Sequence, residues 1–232
     1  MTARAQALDL LLTSIGWGSA ERRPLHGDAS FRRYERLFRA DGATAILMDA
    51  PPPQEDVRPF VDVAERLRQA GLSTPVILAQ DTERGYLVLE DFGDARMGDL
   101  LRAGEEATPL YALATDTLAA LHKASPRLEG LPNWRRAELL RTACLFLEWW
   151  MPNAGRLAVG EDMRLDFLRA WNAVFDAAPA LSNTMVLRDY FPENLMLLPG
   201  RRGVAACGLL DFQDAAIGSP AYDLVSLLRD AR

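Results

Sequence analysis

The pattern of apolar residues changes once along the chain, near residue 99, and this change limits the folds open to it. Before that point, short apolar runs alternate with turn-forming residues, which is typical of antiparallel strands. The predicted strands lie around 24–38, 45–48, 76–79 and 86–89. The Asp41-Gly42 step predicts a hairpin, and helical spacing of apolar residues from Val57 to Ala70 predicts one inserted helix.

Beyond residue 99, helical spacing dominates. Helices are predicted near 107–124, 136–151 and 161–178, and two short apolar strands at 184–187 and 207–210. The pattern therefore predicts an α+β fold, with a β-rich part over 1–92 and a mainly helical part over 93–232. Aromatic residues at helical spacing are expected to pack inside the second part: Phe146, Trp149, Trp150, Phe167 and Trp171.

The composition indicates a chain with a packed core, since 49% of its 232 residues are hydrophobic and 25% are charged. A formal net charge of -6 predicts no general attraction to nucleic acid or to a membrane surface. Cys144 and Cys207 have no metal-site spacing, so a reduced, cytoplasmic setting is expected. The N-terminus does not read as a signal peptide, and no apolar run is long enough to span a membrane.

Three oxygen-bearing residues near the end of the chain carry the functional prediction. Asp189 is followed five positions later by Asn194, and Asp211 comes seventeen residues after that asparagine, directly behind an apolar run. Asp and Asn favour turns, so either alone is consistent with an ordinary turn. Together they provide what phosphoryl transfer from ATP needs. We expect Asp189 to accept or orient the substrate hydroxyl proton, and Asn194 and Asp211 to hold Mg²⁺.

Three motifs resemble the aminoglycoside phosphotransferase and choline kinase superfamily. They are Leu-Arg-Asp-x4-Asn from Leu187, Leu-Leu-Asp-Phe-Gln-Asp from Leu209, and Gly-Ser-Pro-Ala-Tyr-Asp-Leu from Gly218. The resemblance implies the two-lobed fold of protein kinases and use of ATP with Mg²⁺. It also implies that Asp223 braces the loop around Asp189 by accepting backbone N–H bonds.

Features of the N-terminal part are most similar to one branch, the bacterial kinases that phosphorylate N-acetylmuramate and N-acetylglucosamine at C1. The residues that carry this narrower resemblance are 27–34, 48–52 with Glu55-Asp56, and 89–93. It implies a turn over the ATP phosphates, formed by Gly27, Asp28, Ala29, Ser30 and Phe31. It also implies a hinge between the lobes, in which backbone atoms of Glu90, Asp91 and Phe92 read adenine.

The chain departs from the superfamily pattern at two places that matter for a nucleotide site. The first residue of the loop, often His, is Leu187, which is expected to affect packing more than chemistry. The strand lysine that meets the phosphates is replaced by Met48, and Lys123 is the only lysine in the chain. Arg32 and Arg33 are the candidates to replace it, because a guanidinium suits phosphate oxygens. The glutamate that pairs with this lysine in the superfamily then has no obvious role here. Glu65 lies on the predicted helix where that glutamate is expected.

The chain ends inside a predicted helix, whereas relatives continue, so it is expected to be a fragment or a short member. Leu224, Val225, Leu227 and Leu228 are then expected to be exposed and to encourage association. The leading prediction is a kinase for the anomeric hydroxyl of an N-acetylated amino sugar, a small-molecule partner. Alternatives are an aminoglycoside or other hydroxyl-compound kinase, a noncatalytic nucleotide-binding module and, on weaker grounds, a protein kinase. The acceptor and the oligomeric state stay open.

Overall fold

The apolar runs of the first ninety residues form one antiparallel sheet with strand order β1-β2-β3-β5-β4. The computed structural model describes residues 3–25, 31–178 and 183–229. The strands are β1 (Glu21–Pro24), β2 (Arg33–Phe38), β3 (Thr44–Asp49), β4 (Ile77–Asp81) and β5 (Tyr86–Glu90). The predicted hairpin joins β2 to β3, and Gly42 adopts a φ of 87° there, which a residue with a Cβ rarely adopts.

Both faces of this sheet are covered, which explains why its central strands read as continuous apolar runs. On one face, Leu37 and Leu47 pack with Leu8 and Leu12 of helix α1 (Ala3–Ser14). On the other face, Met48 packs in a larger core with residues of helix α2 (Arg58–Gln69) and of the second part of the chain.

The second part contains helices and two short antiparallel ladders. The helices are α3 (Met97–Arg102), α4 (Ala107–Ala124), α5 (Arg136–Leu145), α6 (Met151–Asn153), α7 (Glu161–Ala177) and α8 (Ala221–Arg229). A π-helical turn, Phe146–Trp150, joins α5 to α6. Strand β6 (Thr184–Val186) pairs with β9 (Ala216–Gly218), and β7 (Leu195–Leu197) pairs with β8 (Cys207–Leu209). The three predicted helices are confirmed, whereas α3, β7 and β9 were not predicted.

The expectation that the aromatic residues of the second part are packed inside it is wrong for most of them. Trp149 is 71% exposed and Trp150 is 52% exposed. Phe146 stacks on Trp150 and on Phe167, so the rings form a largely exposed row along the π-helical turn and α7. Within the described ranges, no helix is both long and apolar enough to cross a membrane.

The expectation of exposed apolar residues on α8 is confirmed for three of the four. Leu224, Val225 and Leu228 are exposed, but Leu227 is 1% exposed and belongs to the main core. A helix that packs on one side buries only the residues on that face. The spacing of apolar residues in the sequence did not identify which face of α8 is buried.

Candidate active site

The loop of residues 187–194, called the Asp189 loop below, is anchored by apolar side chains on both sides of the aspartate. Leu187 and Tyr190 are buried in the main core, and Phe191 is also buried. The Tyr190 hydroxyl donates to the Ala114 carbonyl of α4 at 2.8 Å. Leu187 therefore serves packing, as predicted, and the more exposed Asp189 is held between fixed points.

The β7–β8 ladder brings Asn194 to Asp211 although seventeen residues separate them. Asn194 directly precedes β7, and Asp211 lies two residues after the end of β8. The Leu210 N–H donates to the Asn194 carbonyl at 3.0 Å. The Asn194 side-chain amide donates to the Asp189 carbonyl at 3.0 Å and lies 3.5 Å from Asp211 Oδ2. The three predicted residues therefore lie together.

The backbone at this site adopts unusual conformations. Among the described residues, four that are not glycine have a positive φ, and two of these are Arg188 at 72° and Asp211 at 55°. This conformation is tolerated by Asp but is uncommon for Arg. Such outliers persist where the surrounding structure enforces them, which occurs most often at functional sites.

Asp223 of α8 enforces the conformation of the Asp189 loop. Its side chain is fully buried and accepts hydrogen bonds from the Leu187 N–H at 2.7 Å and the Arg188 N–H at 2.9 Å. Burial raises the pKa of its carboxyl to about 6, and the negative charge of Asp189 adds to this rise, while the two N–H donors lower it. The geometry fits the predicted bracing role.

Asp211 is also contacted from the N-terminal part of the chain. Arg32 Nη2 lies 3.3 Å from Asp211 Oδ1, and Arg32 Nε lies 4.0 Å from Glu55 Oε2. Gln213 Nε2 donates to Asp211 Oδ1 at 2.8 Å. Sequence reasoning did not assign a role to Glu55 or Gln213. Both had a signal in the sequence: Gln213 lies two residues after Asp211 in the motif from Leu209, and Glu55 lies in a segment that carries the narrower resemblance.

The predicted hinge residues lie at the end of β5, with Glu90 as its last residue and Asp91 and Phe92 directly after it, and they link the two parts of the chain. The Glu90 N–H donates to the Val76 carbonyl at 2.8 Å, so this N–H is already satisfied by a hydrogen bond within the sheet region. The Asp91 carboxylate is 2.9 Å from Arg36 Nε and accepts from the Gly93 N–H. Arg201 forms an ion pair with Glu90 and lies over the Phe92 ring at 5.3 Å.

Some predicted site residues cannot be compared with the structure. Gly27, Asp28, Ala29 and Ser30 lie outside the described residues, and Phe31, the last residue of the predicted turn, is exposed. Met48, at the expected lysine position, is 2% exposed and faces the core. Glu65 is exposed and accepts a hydrogen bond from Gln69 on its own helix, so it is not the partner of either arginine candidate.

Two solved structures resemble this fold over nearly the whole chain. A choline/ethanolamine kinase family protein from Mesorhizobium loti matches with a TM-score of 0.62 and 16% identity, covering 97% of this chain and 69% of that one. The GDP complex of aminoglycoside 2'-phosphotransferase-IIIa matches with a TM-score of 0.60 and 14% identity, covering 99% and 79%. At this identity the likeness shows the fold, which is the predicted protein-kinase-like α+β fold.

Sequence comparison gives nearer relatives. An N-acetylmuramate/N-acetylglucosamine kinase of Pseudomonas aeruginosa is 41% identical over 229 residues, which cover 95% of this chain and 64% of that protein. A kinase of the same name from Pseudomonas putida is 37% identical, with coverage of 97% and 65%. One from Caulobacter vibrioides is 35% identical, with coverage of 99% and 72%. The chain therefore spans just under two thirds of the length of both Pseudomonas relatives.

A family match extends over nearly the whole chain. The phosphotransferase enzyme family matches residues 21–232, which include the sheet, the Asp189 loop and both ladders. The match and the site geometry agree, since the loop and the β7–β8 ladder bring together the residues that the sequence motifs pointed to. The chain belongs to the phosphotransferase enzyme family.

Proposed function

We propose that this chain carries the phosphotransfer site of a kinase that uses ATP to phosphorylate the anomeric hydroxyl of an N-acetylated amino sugar. The convergence of Asp189, Asn194 and Asp211 carries the proposal, because phosphoryl transfer needs a carboxylate beside oxygen ligands for a metal. The sugar class is supported by the relatives that are 35–41% identical to this chain, which are N-acetylmuramate/N-acetylglucosamine kinases.

Asp189 is the proposed catalytic carboxylate. It lies in a loop fixed by Tyr190 and Asp223, and it is less buried than those two neighbours. A carboxylate held in this way orients the sugar hydroxyl and accepts its proton as the phosphoryl group is transferred. The loop thus supplies positioning, which is the larger part of catalysis in this class of reaction.

Asn194 and Asp211 are the proposed Mg²⁺ ligands. The Asn194 NH₂ group donates to the Asp189 carbonyl, which fixes the plane of the side-chain amide beside Asp211. An amide and a carboxylate oxygen fit a hard divalent cation. Over residues 3–25, 31–178 and 183–229, no three His, Cys, Asp or Glu side chains form a metal cluster, so phosphate and water oxygens would complete the set. Bound Mg²⁺ neutralises charge on the phosphates.

The nucleotide is proposed to bind between two lobes, residues 1–92 and 93–232. Its phosphates would lie under the turn from Gly27 to Phe31, with Arg32 beside it, and its adenine at the hinge of Glu90, Asp91 and Phe92. The position of Arg32 next to Asp211 supports a phosphate site there. The contacts of Arg201 with Glu90 and Phe92 support a fixed hinge.

The cellular role is proposed from the sugar class. N-acetylated amino sugars are cell-wall components, so we place the reaction in cell-wall sugar recycling in the cytoplasm. The partner is then a small molecule, with no role for nucleic acid or membrane. Cys144 and Cys207 are both free and buried, which fits a reducing compartment.

The test is phosphate transfer from ATP with Mg²⁺ to N-acetylmuramate, N-acetylglucosamine, kanamycin and choline. We expect transfer to an N-acetyl sugar and a fall of about 10²- to 10⁴-fold for Asp189→Ala, the range for loss of a general base. The exposed Asp116→Ala on α4 is the matched control and is expected to retain activity. Transfer to kanamycin or choline alone would contradict the sugar class. Nucleotide binding without any transfer would favour a binding module.

A further inference from the structure

The N-terminal part of the chain has no lysine to meet the phosphates of a nucleotide. Lys123, the only lysine, lies on α4 in the second part. In protein kinases a strand lysine takes this role, held by a glutamate on the neighbouring helix. Here the strand position is Met48, which faces the apolar core. If the phosphates meet a cation in this part of the chain, an arginine has to supply it.

Arg32 is placed for this role. Its side chain is 13% exposed, and its guanidinium lies between two carboxylates, with Nη2 3.3 Å from Asp211 Oδ1 and Nε 4.0 Å from Glu55 Oε2. Arg33, the other candidate, is exposed at the start of β2. Arg32 thus lies beside a proposed metal ligand, where a bound phosphate chain would pass.

Glu55 contacts both the arginine and the end of the phosphate turn. Its Oε1 accepts from the Phe31 N–H at 3.1 Å, while its Oε2 faces Arg32. It lies in the segment before α2, three residues ahead of the helix. One side chain therefore contacts both the Phe31 backbone and the Arg32 guanidinium. Its contact with the guanidinium corresponds to the way in which the helix glutamate of protein kinases holds the strand lysine.

We infer that Arg32 is the phosphate-binding cation of this chain and that Glu55 is its positioning residue. The inference rests on the proposed function, because it requires that ATP binds at this site. Without nucleotide, Arg32 neutralises Asp211. Asp211 would release this contact if it held Mg²⁺, and the guanidinium would then be available to the phosphates, while Glu55 would keep it near Phe31. A guanidinium then contacts phosphate oxygens through two parallel N–H bonds.

Calorimetric binding of ATP and of adenosine tests the inference without any acceptor sugar. Arg32→Ala should weaken ATP binding about 10- to 100-fold, the size expected for loss of a charge-assisted contact, and leave adenosine binding unchanged. Arg32→Lys should restore part of the ATP affinity, and Arg33→Ala should change it less than about twofold, since Arg33 is exposed. Equal losses of ATP and adenosine would indicate a merely structural role and overturn the inference.

Glu55→Gln tests the positioning role, because glutamine keeps an oxygen for the Phe31 N–H but loses the charge that faces Arg32. We expect ATP binding to weaken about fivefold in the wild-type background and to be unaffected in the Arg32→Ala background, because coupled residues do not act additively. Additive effects would overturn the pairing. If ATP binds as expected and no sugar is phosphorylated, the proposed acceptor fails while this inference stands.

Discussion

At the scale of single residues, the Asp189 loop depends on one buried carboxylate. Asp223 satisfies two adjacent backbone N–H groups, one of which belongs to Arg188 with its positive φ. No side chain within the loop could do this, because both N–H groups point toward α8. The loop conformation is therefore held by a residue more than thirty positions further along the chain.

The raised pKa of Asp223 predicts a pH dependence of stability. Its carboxyl has a pKa of about 6 in the folded protein, against 3.8 as the ordinary value. Between these two pH values, the folded state therefore holds a proton on Asp223 that the unfolded chain has released. This stabilisation is fully present below about pH 4 and is lost as the pH rises through about 6. A rise of this size corresponds to on the order of 3 kcal/mol.

Urea denaturation of the wild type and of Asp223→Asn over this pH range measures the effect. The substitution removes this carboxyl and leaves every other residue in place, so the difference between the free energies of unfolding of the two proteins reports on Asp223 and the charges it interacts with. We expect the free energy of unfolding of the wild type, relative to that of Asp223→Asn, to fall as the pH rises from about 4 to about 7. A difference that does not vary with pH would contradict the prediction.

At the scale of elements, the close approach of strand β8 to the hinge requires a glycine. A Cβ built on Gly208 would lie 2.8 Å from two ring atoms of Phe92 and 3.1 Å from Leu198 Cδ1. The ring of the proposed hinge thus rests directly on the backbone of β8, whose next residues lead to Asp211. The β7–β8 ladder therefore positions both the proposed metal site and the hinge.

Gly208→Ala should displace the Phe92 ring. We expect the free energy of unfolding to fall by about 1–3 kcal/mol, as for overpacking elsewhere, and adenosine binding to weaken. Gly200→Ala is the matched control, because a Cβ there meets nothing within 4 Å. Phe92→Leu in the Gly208→Ala background should recover stability by making room. A stable Gly208→Ala protein with unchanged adenosine affinity would show that the contact is dispensable.

At the scale of the whole molecule, the two parts of the chain share one apolar core. Phe60 of α2 and Phe212, which follows Asp211, have ring centroids 4.7 Å apart. Both belong to a cluster that also contains Met48 and Leu187. Because this core crosses from the sheet to the Asp189 loop, we expect the two parts to unfold together.

Phe212→Ala should therefore destabilise the whole chain. Phe212 is 1% exposed, so we expect a loss of about 3–5 kcal/mol for Phe212→Ala and less than about 1.5 kcal/mol for Phe212→Leu. Circular dichroism and tryptophan fluorescence during denaturation should report one coincident transition. Two separate transitions, with only one shifted by Phe212→Ala, would contradict a shared core.

Some parts of the site could be predicted from sequence because their signal is local. The Asp189-x4-Asn194 spacing lies within one loop, and Asp211 directly follows an apolar strand. Strands β7 and β9 were missed although β6 and β8, which are equally short, were predicted, because three residues carry too little periodicity for a consistent assignment. Glu55 was not assigned because its partners are selected by the folded turn and not by its neighbours in sequence.

The sequence by itself determined the division into a β-rich and a helical part, the family motifs and the identity of the acidic residues, because each depends on neighbouring residues and their periodicity. Only the tertiary structure decided which side chains meet. The contacts of Arg32 with Asp211, of Phe92 with Gly208 and of Phe146 with Phe167 join positions that are not neighbours in the chain. Such contacts depend on how the sheet, ladders and helices pack, and local propensity carries no information about that packing.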